Sequence, residues 1–286
     1  MSVERVLSVS AILGEGPVWT GDALWFVDIK SKAIHRYDPL RREARRWDAP
    51  DQVGWVLPTA DGGMVAGLKT GLHRFSPDDG KFALLHRPEP ETPGNRLNDA
   101  TTDREGRLWF GSMDDGERAE TGRLYRCDGG ACRDTGLPPV SITNGPAISA
   151  DARTLYHTDT LGRTIWRVQI DLSGELTDRK VHIRIEDGAG YPDGSVMDAD
   201  GCLWVALFGG WGVRRYDPDG QLMSFTRFPV ANVTKIAFGG ADLTTAYATT
   251  ASKGLDAAAL QAQPFAGDLF AFDPGTAGLQ TVPAKI

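Results

Sequence analysis

Long hydrophobic runs are missing from this 286-residue chain. No apolar stretch approaches the roughly 18 residues of a membrane helix, so no helical span and no membrane partner are expected. The opening Met1-Ser2-Val3-Glu4-Arg5-Val6 carries neither the basic start nor the apolar middle of a signal peptide, which points to a cytoplasmic protein. Cysteine is scarce. Cys127, Cys132 and Cys202 cannot all pair, and a chain this long does not depend on covalent staples. Cys127 and Cys132 are near enough in sequence for a local bridge or half a metal site, but the expectation is reduced, structural thiols. Excess positive charge is lacking as well. The net charge is −7, and the one basic run, Arg41-Arg42 with Arg45-Arg46, is broken by Glu43 and reads as a solvated strand or turn. No nucleic-acid partner is expected.

The parts of several catalytic devices are absent too. No two histidines neighbour each other in sequence, so a zinc-protease site or a Cys/His nucleophile lacks its components. His157 reads as a packed or hydrogen-bonded strand residue. No Gly-rich loop opens a helix, which leaves no place for a nucleotide cofactor. Helical pattern itself is nearly missing; Ser252 to Gln261 is the one short candidate.

What the sequence does have is a repeat. Six apolar or aromatic runs recur: Leu24-Trp25-Phe26-Val27, Gly63-Met64-Val65-Ala66, Leu108-Trp109-Phe110-Gly111, Leu155-Tyr156-His157-Thr158, Leu203-Trp204-Val205-Ala206 and Ala246-Tyr247-Ala248-Thr249. Their starts lie roughly 40 to 48 residues apart, the period of a four-stranded propeller blade. Turns rich in Gly, Asp or Ala precede five of them, as tight hairpins require. A third strand follows and in several units ends in an aromatic and a Pro turn, as in Arg36-Tyr37-Asp38-Pro39 and Arg215-Tyr216-Asp217-Pro218. A strand stops there because Pro cannot donate to a ladder. Units of this size cannot bury two sheet faces alone, so they pack radially. The expected fold is an all-β, six-bladed β-propeller with four-stranded blades, one domain over residues 1–286, with Val3 to Val9 joining the last blade to close the ring. Two stacked β-sandwich domains are the alternative.

In a propeller the strand before each run lines the central channel. Aligned in register, those strands carry Glu15, Trp55, Asn98 and Asp99, Asn144, Asp193 and Lys235. Positions that ought to pack a core carry charged or amide groups in five blades. Any one Asn or Asp beside Gly is an ordinary turn former; five in register make a functional cluster. Arg96 and Lys235 add positive charge to the expected channel mouth. Glu15, Asn144 and Asp193 offer only oxygen donors and a net charge of −2, which suits a hard or borderline divalent ion.

At these residues the sequence resembles the gluconolactonase/regucalcin (senescence-marker-protein) family over essentially the whole chain. The resemblance rests on Leu13-Gly14-Glu15-Gly16-Pro17, Arg96-Leu97-Asn98-Asp99, Thr143-Asn144-Gly145-Pro146, Tyr191-Pro192-Asp193-Gly194 and Phe238-Gly239-Gly240. Within that family, Leu24 to Lys30, Gly67 to Phe75 and Tyr156 to Leu161 are similar to the bacterial sugar-acid lactonases such as xylonolactonases. The resemblance implies a propeller with one divalent metal on Glu15, Asn144 and Asp193, its identity open among Fe, Zn, Ca, Mg and Mn. It implies substrate contacts from Arg96 and Asn98 and from an acidic residue in Met113-Asp114-Asp115-Gly116-Glu117, either Asp114 or Glu117. Lys235 departs from the small polar residue of many relatives and is a candidate contact to a hydroxyl or the nascent carboxylate, or a charge that balances the mouth.

The implied activity is metal-dependent hydrolysis of an aldonolactone, a pentonolactone such as xylonolactone or arabinonolactone. Asp193 would be the base, Arg96 and Asn98 would orient the sugar, and Asp99 is an alternative polar contact. The expected partner is a small sugar lactone, with no protein partner required. Two rivals use the same scaffold: a non-catalytic calcium-binding regulatory propeller, and a propeller hydrolase of phosphotriesters or aryl esters, which a mouth rich in aromatics would favour.

Overall fold

The computed structural model describes residues 2–286. Six four-stranded antiparallel sheets follow one another along the chain. The first blade shows why each repeat becomes a wedge. Its innermost strand, Gly14–Trp19, and the next, Leu24–Asp28, are buried throughout; the third, Ala33–Asp38, is mixed; the outermost, Glu43–Asp48, is exposed except at Trp47 and partners the next blade only through that ring. Burial therefore falls from axis to rim, as radial packing requires. The aromatic that ends the third strand in four blades does packing work: Tyr37, Phe75, Tyr216 and Phe272 are all buried. Trp25 stacks on Trp47 with 5.1 Å between centroids, and the edge of Phe75 from the next blade meets both rings.

The six innermost strands are Gly14–Trp19, Val53–Pro58, Asn95–Thr102, Thr143–Ile148, Tyr191–Met197 and Val233–Gly239. Each touches the next, and the last touches the first. The ring is closed as the sequence suggested. Glu4–Leu7 forms the outer strand of the sixth blade by pairing with Leu269–Phe272. Asp268 fixes the crossing, its Oδ1 accepting from the N–H groups of Val9 (2.8 Å) and Ser10 (2.9 Å).

Two expectations are corrected. The helix is shorter than Ser252 to Gln261: it spans Ala257–Ala262, because Asp256 caps it, accepting from the Ala259 N–H at 2.8 Å, and Gly254 at φ +79° turns the chain just before. Cys127 and Cys132 are not reduced thiols but a disulfide. They stand directly opposite each other in the hairpin of Leu124–Asp128 with Ala131–Asp134, Cα to Cα 4.0 Å. Only Cys202 is free, and it is buried. His157 is packed, as expected, but neither ring nitrogen finds a hydrogen-bond partner, and burial pushes its pKa down to about 3. No helix is long and apolar enough to cross a membrane.

Candidate active site

Every innermost strand breaks register with its neighbour near its start. The breaks lie between Glu15 and Val18, Val53 and Trp55, Leu97 and Ala100, Asn144 and Ala147, Pro192 and Ser195, and Val233 and Lys235. A β-bulge frees a residue from the ladder and re-aims its side chain. Asn98, Asp99 and Asp193 lie inside such breaks, while Glu15 and Asn144 are the last paired residues before theirs. Glycines make the bulges possible. Gly16 has φ +54°, and a Cβ on Gly194 would stand 2.5–2.7 Å from the Lys235 side chain.

Glu15, Arg96, Asn98, Glu117, Asn144 and Asp193 line one cavity of about 210 Å³ at the end of the axis where these strands begin. A chain of hydrogen bonds runs round its wall. Arg96 donates through Nη1 to Asn98 Oδ1 (2.6 Å) and through Nε to Asp115 (3.2 Å). Asn98 Nδ2 donates to Asn144 Oδ1 (2.9 Å) and to the Thr143 carbonyl (2.7 Å). Asn144 Nδ2 donates to Thr160 Oγ1 at 2.8 Å. The chain fixes which way both amides point, and leaves a lone pair on Asn144 Oδ1 as its free donor. Asn98 has spent both amide protons, so it can offer a ligand only acceptor capacity.

The two carboxylates are the reverse of satisfied. Among the described residues Glu15 accepts only from the Gly16 N–H, at 2.8 Å, and Asp193 has no protein donor. Both are buried, 4% and 6% exposed. Burial and the Asp99 charge push the Glu15 pKa up to about 8; burial and Glu15 push Asp193 well above the usual carboxylate range. Buried like charges without donors are costly unless a cation joins them. Two carboxylates and an amide oxygen, with no histidine or cysteine in the lining, fit a hard divalent ion.

Lys235 is not in this cavity. Its ammonium ion-pairs with Asp99 at 2.5 Å, and its stem lines a separate hollow at the opposite end of the inner strands, with Trp55, Ala100 and Phe238. Asp99 accepts also from the N–H groups of Ala100 (2.7 Å) and Gly145 (3.0 Å); it is 1% exposed and does not line the cavity. Of the two acidic loop candidates, Glu117 lines the cavity; Asp114 instead folds back to accept from the N–H groups of Gly116, Arg118 and Ala119. One charged residue of the cavity was not among the expected site residues. Lys253, from the sixth blade, ion-pairs with Glu117 across the mouth. Its signal was available: like Glu117, it sits on the loop that follows the second strand of its blade.

A model of the SMP-30/gluconolactonase/LRE-like region matches residues 13–252. The chain belongs to that family. It is 34% identical to a pentonolactonase of Haloferax volcanii, over 97% of this chain and 96% of the relative, and 32% identical to bovine regucalcin, over 94% and 93%. Among solved structures, a calcium-binding regucalcin of Agrobacterium tumefaciens superposes with a TM-score of 0.94 at 27% identity, covering 100% of this chain and 97% of the other. The expected family and fold stand, and lactonase is the enzyme class that the family's named enzymes share with the expectation.

Proposed function

We propose that this protein hydrolyses a sugar lactone to the aldonic acid, a pentonolactone such as xylonolactone or arabinonolactone, with one divalent cation held by Glu15, Asn144 and Asp193. The observation that carries the reading is the pair of buried, unsatisfied carboxylates beside a fixed amide oxygen, facing a cavity whose other polar groups suit a polyol. A bound cation supplies Lewis acidity and lowers the pKa of coordinated water. The chain's own residues do the rest. Asp193 has no donor to displace and takes the proton of the attacking water. Arg96, held by Asp115 and Asn98, and Glu117 orient the sugar hydroxyls, which turns binding into rate. Support for a pentonolactone comes from the likeness to the Haloferax enzyme.

A second reading has an observation behind it: the likeness to a structure described as a calcium-binding protein fits a regulatory propeller using the same ligands. The aryl-ester alternative finds less support, since only Tyr191 and Phe208 bring aromatic rings to the cavity. The deciding experiment is acid release from a panel of aldonolactones after chelation and add-back of Fe, Zn, Ca, Mg and Mn, with spontaneous opening subtracted. Metal-restored turnover of a pentonolactone is expected. Calcium binding without turnover of any lactone would favour the regulatory reading. Asp193→Ala and Asn144→Ala are each expected to lower kcat at least about 100-fold; unchanged turnover in both would remove the metal from the mechanism.

A further inference from the structure

Lys253 is built like a residue with a task. Its backbone is pinned on both sides: its N–H donates to the Ile12 carbonyl (2.9 Å) and its carbonyl accepts from Asn232 Nδ2 (3.0 Å). The preceding Ser252 is tied to the Ala11 carbonyl through its N–H (3.2 Å) and its hydroxyl (2.9 Å). Only the side chain is free, and it reaches over the cavity to Glu117 on the third blade, which stands opposite the sixth in a six-membered ring. Lys253 and Glu117 keep 31% and 35% of their side-chain surface exposed.

The other cations nearby are committed. Arg96 is 3% exposed and held by Asp115, Asn98 and the Leu97 carbonyl. Lys30 and Lys69 are bound to Asp115, and Lys235 to Asp99. Of the two cations that line the cavity, Arg96 and Lys253, only Lys253 can change partner without breaking a buried network.

Lactone hydrolysis creates a demand for such a group. A water oxygen bonds to the carbonyl carbon, the ring C–O bond breaks, the ring oxygen takes a proton, and the new carboxyl loses one. A neutral ligand thus becomes an anion in a cavity where the cation is already matched by Glu15 and Asp193, and Glu117 adds a further negative charge. We propose that Lys253 is the group that receives this charge, exchanging Glu117 for the developing oxyanion and then the product carboxylate, while the freed Glu117 accepts from a sugar hydroxyl. The proposal rests on the lactonase reading of the site.

The test compares an anionic and a neutral ligand of one size, xylonate and xylitol, as competitive inhibitors and by calorimetry, in the metal-loaded protein. Lys253→Met is expected to weaken xylonate about tenfold while xylitol stays within about twofold, and to lower kcat for the pentonolactone more than it raises KM. Lys253→Arg should recover most of both losses. Glu117→Gln should raise the preference for xylonate over xylitol, since a competing anion is gone. Equal weakening of both ligands by Lys253→Met, no weakening of either, wild-type protein with no preference for xylonate, or a lowered preference in Glu117→Gln would each overturn the proposal. Its failure is distinct from failure of the lactonase reading, in which the wild-type protein opens no lactone at all.

Discussion

Lys235 shows how much a single residue's role depends on its partners. Aligned in register it looked like a ligand-facing cation, yet its side chain is 8% exposed and its ammonium is bound to Asp99, itself 1% exposed. Removing one member of a buried pair leaves the other uncompensated, at a cost of about 3–5 kcal/mol. Lys235→Met is therefore expected to lower unfolding free energy by that order in denaturant titration, and adding Asp99→Asn should return part of it. A substrate-contact role would instead raise KM and leave stability unchanged. The same contrast separates Asp114 from Glu117: neighbouring carboxylates on one loop, one consumed by backbone N–H groups and one facing the cavity.

At the scale of the strand, one arrangement appears twice with the same spacing. Asp103 accepts from Trp109 Nε1 at 2.8 Å and from the Arg107 N–H and guanidinium; Asp198 accepts from Trp204 Nε1 at 2.8 Å, the Cys202 N–H and Arg215. Each carboxylate closes the turn before its run and also satisfies the buried indole of that run. Asp198→Ala should cost about 1–3 kcal/mol, because it strands a buried indole N–H and takes one of two carboxylates from Arg215; equilibrium unfolding measures it. His157, in the second strand of the fourth blade, sets a pH dependence. Its pKa of about 3 in the folded protein lies below the unfolded value of 6.5, so the unfolded chain takes up the proton first. Stability is lost as pH falls from 6.5 towards 3, by up to about 1.4 kcal/mol per pH unit from this group. His157→Leu should flatten the acid limb of the stability curve; an unchanged slope would contradict the assignment.

The whole molecule depends on closure. Glu4–Leu7 supplies the strand that covers the edge of Leu269–Phe272, and an uncovered edge is a template for association. Deleting residues 2–9 should lower the unfolding midpoint and promote aggregation, read by calorimetry and light scattering; an unaltered, monodisperse protein would show that closure is dispensable. Closure also joins the site, because Glu15, Asn144 and Asp193 come from the first, fourth and fifth blades. A cation binding only the folded ring stabilises it by about 2.7 kcal/mol at 100 times its Kd, so chelation should lower the midpoint in wild type and not in Asp193→Ala.

Much of this was legible in the chain itself. The period, the aromatic ending the third strand of four blades and the strand-start Glu15, Asn144 and Asp193 are local patterns, fixed by turn chemistry and strand alternation, and they determined the propeller and its polar ring. The disulfide was missed because the pairing of Cys127 with Cys132 depends on hairpin register, which a five-residue spacing leaves open. The loop position of Lys253, equivalent to that of Glu117, was legible, but which loops converge across the ring was not. Register shows that a residue stands at the axis, but not which end of the axis its side chain faces, nor which partner it meets there. Only the tertiary structure decided that Lys235 turns away to Asp99 and Lys253 turns in to Glu117, because charge pairing across opposite blades is settled by distance in space and leaves no trace in sequence spacing.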